Sequence, residues 1–117
     1  MRFLRLSLLA LTLLYVPVTK ADLADNLSKL VGYMILDTKT IKGWYDDDGK
    51  ANGSFEGCNH GRVIVFDDGK VLTCSQYGYQ YAYRPSAVIL VKPITYQNST
   101  IYDYKMVVED EIYDMRR

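Results

Sequence analysis

The spacing of apolar positions changes several times along this chain. Leu6 to Val18 is an apolar run of 13 residues broken only by Ser7, Thr12 and Pro17. From Asp22 to Leu30 the apolar residues fall at 23, 24, 27, 30 and 31, with acids near the start. That spacing predicts one or two helical turns packed on a sheet. From Gly32 the period becomes that of a strand: residues 33–42 are rich in strand formers and alternate towards Lys42. Trp44 and Tyr45 close this first strand, and Asp46 to Ser54 is a polar loop.

The strongest local signal lies further on. Arg62 to Phe66 and Lys70 to Cys74 are apolar runs flanking Asp67-Asp68-Gly69, where glycine can supply a positive φ. This is a hairpin, closed by a two-residue turn or by a three-residue loop with a bulge. Apolar residues point to both of its faces, so it belongs inside a sheet. Tyr77, Tyr79, Tyr81 and Tyr83 then alternate with Gly78, Gln80 and Ala82, which places the four rings on one face of an extended segment. Ser86 to Val91 is a continuous apolar run expected to be a buried strand, with Pro93 marking its end. Residues 97–100 are a turn, Ile101 to Val108 return as a strand, and the mostly charged Glu109 to Arg117 are expected to form a tail or short helical turn. Five or six strands and a short N-terminal helix predict a mainly β domain, a small antiparallel barrel or sandwich.

The first twenty-one residues change the setting. Arg2 and Arg5 precede the apolar run, and Thr19-Lys20-Ala21 places small residues at the −3 and −1 positions of a cleavage site. This is the pattern of a secretory signal cut after Ala21. The run is shorter than the ~20 residues that a spanning helix needs, and no cysteine follows it to accept lipid. Cleavage leaves one domain, 22–117, with no membrane insertion expected and a periplasmic or secreted location. Removing Arg2, Arg5 and Lys20 leaves 11 basic against 14 acidic residues, a net charge of −3. That balance argues against a nucleic-acid partner, because phosphate binding needs a concentrated basic face.

Two cysteines, Cys58 and Cys74, remain. In an exported chain the first reading is a disulfide. Cys58, His60 and Cys74 lack the usual zinc spacing and a fourth ligand, and no nucleophile motif surrounds either sulfur. No metal or cofactor is expected. In the hairpin Cys74 sits opposite Arg62 or Val63, whereas Cys58 is ~13–17 Å away along an extended chain. A disulfide requires Cα atoms about 4.4–6.8 Å apart, so residues 57–61 must fold back, using Gly57 and Gly61.

Other candidate chemistry is sparse. Asp46, Asp47 and Asp48 begin a loop in which an EF-type register would put Lys50 and Asn59 where acids belong, so a solvated turn is favoured. Asn98-Ser99-Thr100 matches a glycosylation acceptor, meaningful only in a eukaryotic secretory route. His60 stands alone, without a positioned partner for acid–base work. The tyrosine stretch has two readings. The rings could stack on sugar or peptide, or they could be one side of a core with the hydroxyls at its rim. The core reading is favoured here, because large exposed aromatic patches are uncommon.

Phe55-Glu56-Gly57-Cys58, Gly61 to Gly69 and Tyr77 to Pro85 together resemble a family of small exported bacterial proteins of unknown function. The resemblance spans Gly32 to Val91 and implies a bacterial periplasmic or secreted protein. It carries no activity across. The expectation is a non-enzymatic exported β-domain that binds a partner protein or envelope polymer through Trp44, Tyr77, Tyr79, Tyr81, Tyr83 and Arg84. The alternatives are a small periplasmic enzyme using His60 and the Asp46–Asp48 loop, or a purely structural envelope component.

Overall fold

The computed structural model describes residues 22–117. The secretory-signal pattern and its cut after Ala21 lie outside the described residues. The chain divides into two units, Met1–Val31 and Gly32–Arg117. Of the first unit, the structure describes helix α1 (Leu23–Ser28), none of whose residues is buried.

The second unit is a closed antiparallel barrel. Its strands are β1 (Met34–Tyr45), β2 (Ala51–Asn52), β3 (Val63–Phe66), β4 (Val71–Cys74), β5 (Ser86–Tyr96), β6 (Ser99–Val108) and β7 (Glu111–Arg116). The sheet order is β2-β1-β3-β4-β7-β6-β5, and β1 also pairs with β5, so six strands form a ring with β2 attached outside it. Closure depends on the length of β1. Its first half pairs with β5, from Met34↔Val91 to Thr40↔Ser86, and its second half pairs with β3, from Ile41↔Phe66 to Tyr45↔Val63. Register shifts between Ile35 and Asp37 and between Ile41 and Gly43 bend the strand around the ring. The sandwich alternative is thereby excluded.

Alternation decides what fills the barrel. Ile41, Ile64, Phe66, Ala87, Ile89, Met106, Val108, Tyr113 and Met115 are buried and pack with Phe55 and both cysteines into one cluster. The Asp67–Gly69 reversal is the three-residue loop with a bulge: Gly69 has φ 83, and Phe66 and Lys70 close it through the Phe66 N–H donating to the Lys70 carbonyl. Both hairpin strands lie inside the sheet, as their apolar faces require.

Two expectations are corrected. Glu109 to Arg117 are neither a tail nor a helical turn: β7 occupies most of them, with Tyr113 and Met115 buried two residues apart. The charged residues between and around them face out, so a high charge fraction concealed a period of two. Pro93 does not end β5 either; it pairs with Tyr102, and the strand runs on to Tyr96. β1 reaches only as far as Val91 on that side, so a missing N–H there costs no ladder bond. From Lys92 to Asp103, β5 and β6 pair only with each other, as an arm turned by Gln97 and Asn98, both at positive φ.

The two ends of the barrel differ. Chain segments 46–62 and 75–85 cross one end and are joined by bridges Phe55↔Ala82 and Cys58↔Gly78. They form a cap whose plug is Phe55, fully buried and edge-on to Tyr113 at 5.6 Å. The other end carries the Asp67–Lys70 reversal and the root of the arm.

Candidate functional site on the cap

The disulfide fixes the cap. Cys58 and Cys74 are bonded with Cα atoms 5.6 Å apart. Cys74 lies opposite Arg62, whose carbonyl accepts from the Cys74 N–H at 2.8 Å. The chain folds back through Gly57 (φ 80) and Gly61 (φ 81). The zinc reading of Cys58, His60 and Cys74 is thereby overturned for both sulfurs, and His60 lies exposed on the returning loop.

The tyrosine segment lies next to this crosslink, extended but bridged only at Gly78 and Ala82. Alternation holds along it. The small positions face inward: Gly78 sits over the Tyr113 ring, and Ala82 is buried on Phe55. Gln80 joins three groups beneath it. Its amide oxygen accepts from the Tyr113 hydroxyl at 2.6 Å, and its nitrogen donates to the Val108 carbonyl and the Glu109 carboxylate at 3.2 Å each. Burial, with Glu111 and Glu109 nearby, pushes the Tyr113 hydroxyl pKa up to about 12, so it stays a donor at neutral pH.

The tyrosines therefore point the other way. Tyr77, Tyr79, Tyr81 and Tyr83 are 68, 70, 60 and 70% exposed. This corrects the core reading of the stretch: what fills the barrel beneath it is Tyr113 and Phe55, and the row itself faces water. Arg84, at φ 44, extends the row with its guanidinium 5.8 Å from the Tyr83 ring centre. Trp44 does not belong to this surface. It is 8% exposed, beneath the Arg62 guanidinium at 3.7 Å, and its indole nitrogen is buried without a hydrogen-bond partner.

Arg62, which sequence reasoning had passed over, organises the adjoining loop. It forms a two-point pair with Asp46, Nε at 2.8 Å and Nη2 at 3.1 Å, and donates to the carbonyls of Glu56 and Gly57. Both side chains of the pair are 12% exposed. The guanidinium holds the Asp46 carboxyl below its ordinary range. Asp48 accepts from the Lys50 backbone N–H, so two of the three aspartates serve the loop's own structure. A hollow of about 230 Å³ opens beside Tyr77 and Tyr79, with Glu56, Asn59 and Arg62 on its walls. Nothing in the local pattern brought Glu56, Asn59 and Arg62 to one hollow, because the fold-back does that.

No family model, curated protein or solved structure matches the chain. Among the described residues no helix is long and apolar enough to cross a membrane.

Proposed function

We propose that this is an exported, non-enzymatic binding domain whose tyrosine row grips an extended polymer of the bacterial envelope. The observation that carries this reading is the row itself: four rings exposed by 60% or more on one side of a backbone pinned from beneath. Successive alternate residues lie ~6.6–6.8 Å apart, so the row covers ~20 Å, a length suited to a chain and not to a small molecule. Rigid aromatic contacts at low entropy cost are the usual means of gripping such a ligand. The hollow beside Tyr77 and Tyr79 favours a polysaccharide over a partner protein. Its 230 Å³ is below the ~300 Å³ floor of a small-molecule site, so it takes one unit of a longer chain. Its carboxylate and amide can pair with hydroxyls. Export is supported by the N-terminal pattern and by a disulfide, which persists in oxidising compartments.

Replacing Tyr79 and Tyr81 together with serine tests the proposal. Both rings stand outside the core, so the thermal midpoint should move by no more than a few degrees, while retention on envelope polysaccharide should fall at least tenfold. Unfolding of the double variant would return the row to a structural role. Retention of a protein from envelope extract, lost in the same variant, would transfer the site to a protein partner.

A further inference from the structure

The hollow beside Tyr77 and Tyr79 carries one charge that the fold does not answer. Glu56 and Arg62 both stand on its walls. Arg62 is already engaged within the cap: it pairs at two points with Asp46 and donates to the Glu56 and Gly57 carbonyls. It holds the backbone of Glu56 and not the carboxylate. That half-buried carboxylate forms no ion pair among the described residues. Arg62 and Asp46 offset each other, so the hollow keeps the negative charge of Glu56.

Two tyrosine rings share the hollow with that carboxylate. An aromatic ring attracts a cation over its face within ~6 Å, more strongly where water is partly excluded. The row already does this at its far end, where the Arg84 guanidinium lies 5.8 Å from the Tyr83 ring centre. Near the root of the arm the chain assembles the same groups with an ammonium of its own. The Lys92 and Lys105 ammoniums lie 5.5 and 5.4 Å from the Tyr33 ring centre, and the Tyr33 hydroxyl donates to the Asp103 carboxylate. Ring and carboxylate together are how this fold satisfies an ammonium. In the hollow the cap supplies ring and carboxylate, which leaves the ammonium to the ligand. We infer that the polymer on the tyrosine row is a hexosamine polysaccharide with free amino groups, one sugar ammonium entering between Tyr77, Tyr79 and the Glu56 carboxylate. This rests on the polysaccharide reading of the row and names the sugar chemistry that the hollow selects.

The test is calorimetric titration of the purified protein with hexamers of glucosamine and of N-acetylglucosamine. It is run at pH ~5.5, between the ordinary carboxyl and amine ranges, so that both charges are present. The glucosamine hexamer should bind at least tenfold tighter than the acetylated one. Glu56→Gln keeps the side chain's size and the carbonyl that Arg62 holds, so the thermal melt should barely move while that preference is lost. Asp67→Asn removes one negative charge at the other end of the barrel and should leave the preference intact. Equal loss in the two variants would reduce it to net-charge attraction and overturn the site. Equal affinity for the two hexamers, or a preference untouched by Glu56→Gln, would overturn the amine. If the Tyr79 and Tyr81 serine variant still lost both hexamers, the row reading would survive that outcome. Binding of neither hexamer would also overturn the amine, and the row would then stand or fall on its own retention experiment.

Discussion

Two glycines in the same returning loop carry different loads. Gly57 and Gly61 both sit near φ 80, but a Cβ on Gly57 would lie 2.1 Å from the Gly78 carbonyl oxygen, whereas one on Gly61 meets nothing within 4 Å. Gly61→Ala should therefore cost only the left-handed conformation, ~1–2 kcal/mol. Gly57→Ala adds a backbone clash against the bridge that holds the tyrosine segment, and should cost about 4 kcal/mol or more; denaturant melts of the two variants compare them directly. Asp46 gives a second residue-scale expectation. Its folded pKa is depressed by Arg62, so its contribution is fully present above the unfolded carboxyl's ordinary value, ~3.9, and fades as pH falls through the depressed one. Stability measured from pH 5 downwards should fall less steeply in Asp46→Asn, which starts lower. The tyrosine alternation was legible from sequence, but not which side faced in. That choice rests on Tyr113, more than thirty residues downstream, whose ring lies so close beneath Gly78 that a Cβ there would meet it at 3.2 Å.

At the scale of elements, local signals succeeded where turn chemistry and period agreed. The Asp67–Gly69 hairpin and the first strand were legible for that reason. β7 was not, because three of its six residues are charged, and its partner strands lie elsewhere in the chain. Arm residues beyond Pro93 were lost to a rule about central strands that does not apply where one side is free. The disulfide was legible because an exported chain with two cysteines implies one, whereas geometry only demanded that residues 57–61 fold back. It ties the cap to β4 across 15 intervening residues, which should contribute ~3 kcal/mol on the chain-entropy model. Replacing both cysteines with serine should lower the unfolding free energy by about that amount or more, since Cys58 and Cys74 are also in the core. Thiol labelling of the denatured, unreduced protein should find none free.

At the scale of the whole barrel, two long-range joins matter, β1 with β5 and β4 with β7; both are needed for the ring to close around its core. A mainly β barrel or sandwich was legible as a class, from strand count and chain length, but not which of the two. Neither the two long-range joins nor the Phe55 plug was legible, since both follow from pairing partners that no local window contains. The hollow beside Tyr77 was hidden for the same reason, whereas the row of rings was visible at first sight.

The arm has a consequence for crowded solutions. Between Lys92 and Asp103 its two outer margins present peptide N–H and C=O groups to water, and Ile94, Tyr96, Ile101 and Tyr102 are each more than 40% exposed along it. Such a ribbon is a template on which strands of other molecules can add. Proline at position 93 interrupts one margin, because an arriving strand finds no N–H there. Pro93→Val should leave the melting point of the isolated protein nearly unchanged yet raise light scattering as concentration increases. Unchanged scattering in that variant would mean that Pro93 does not guard the margin.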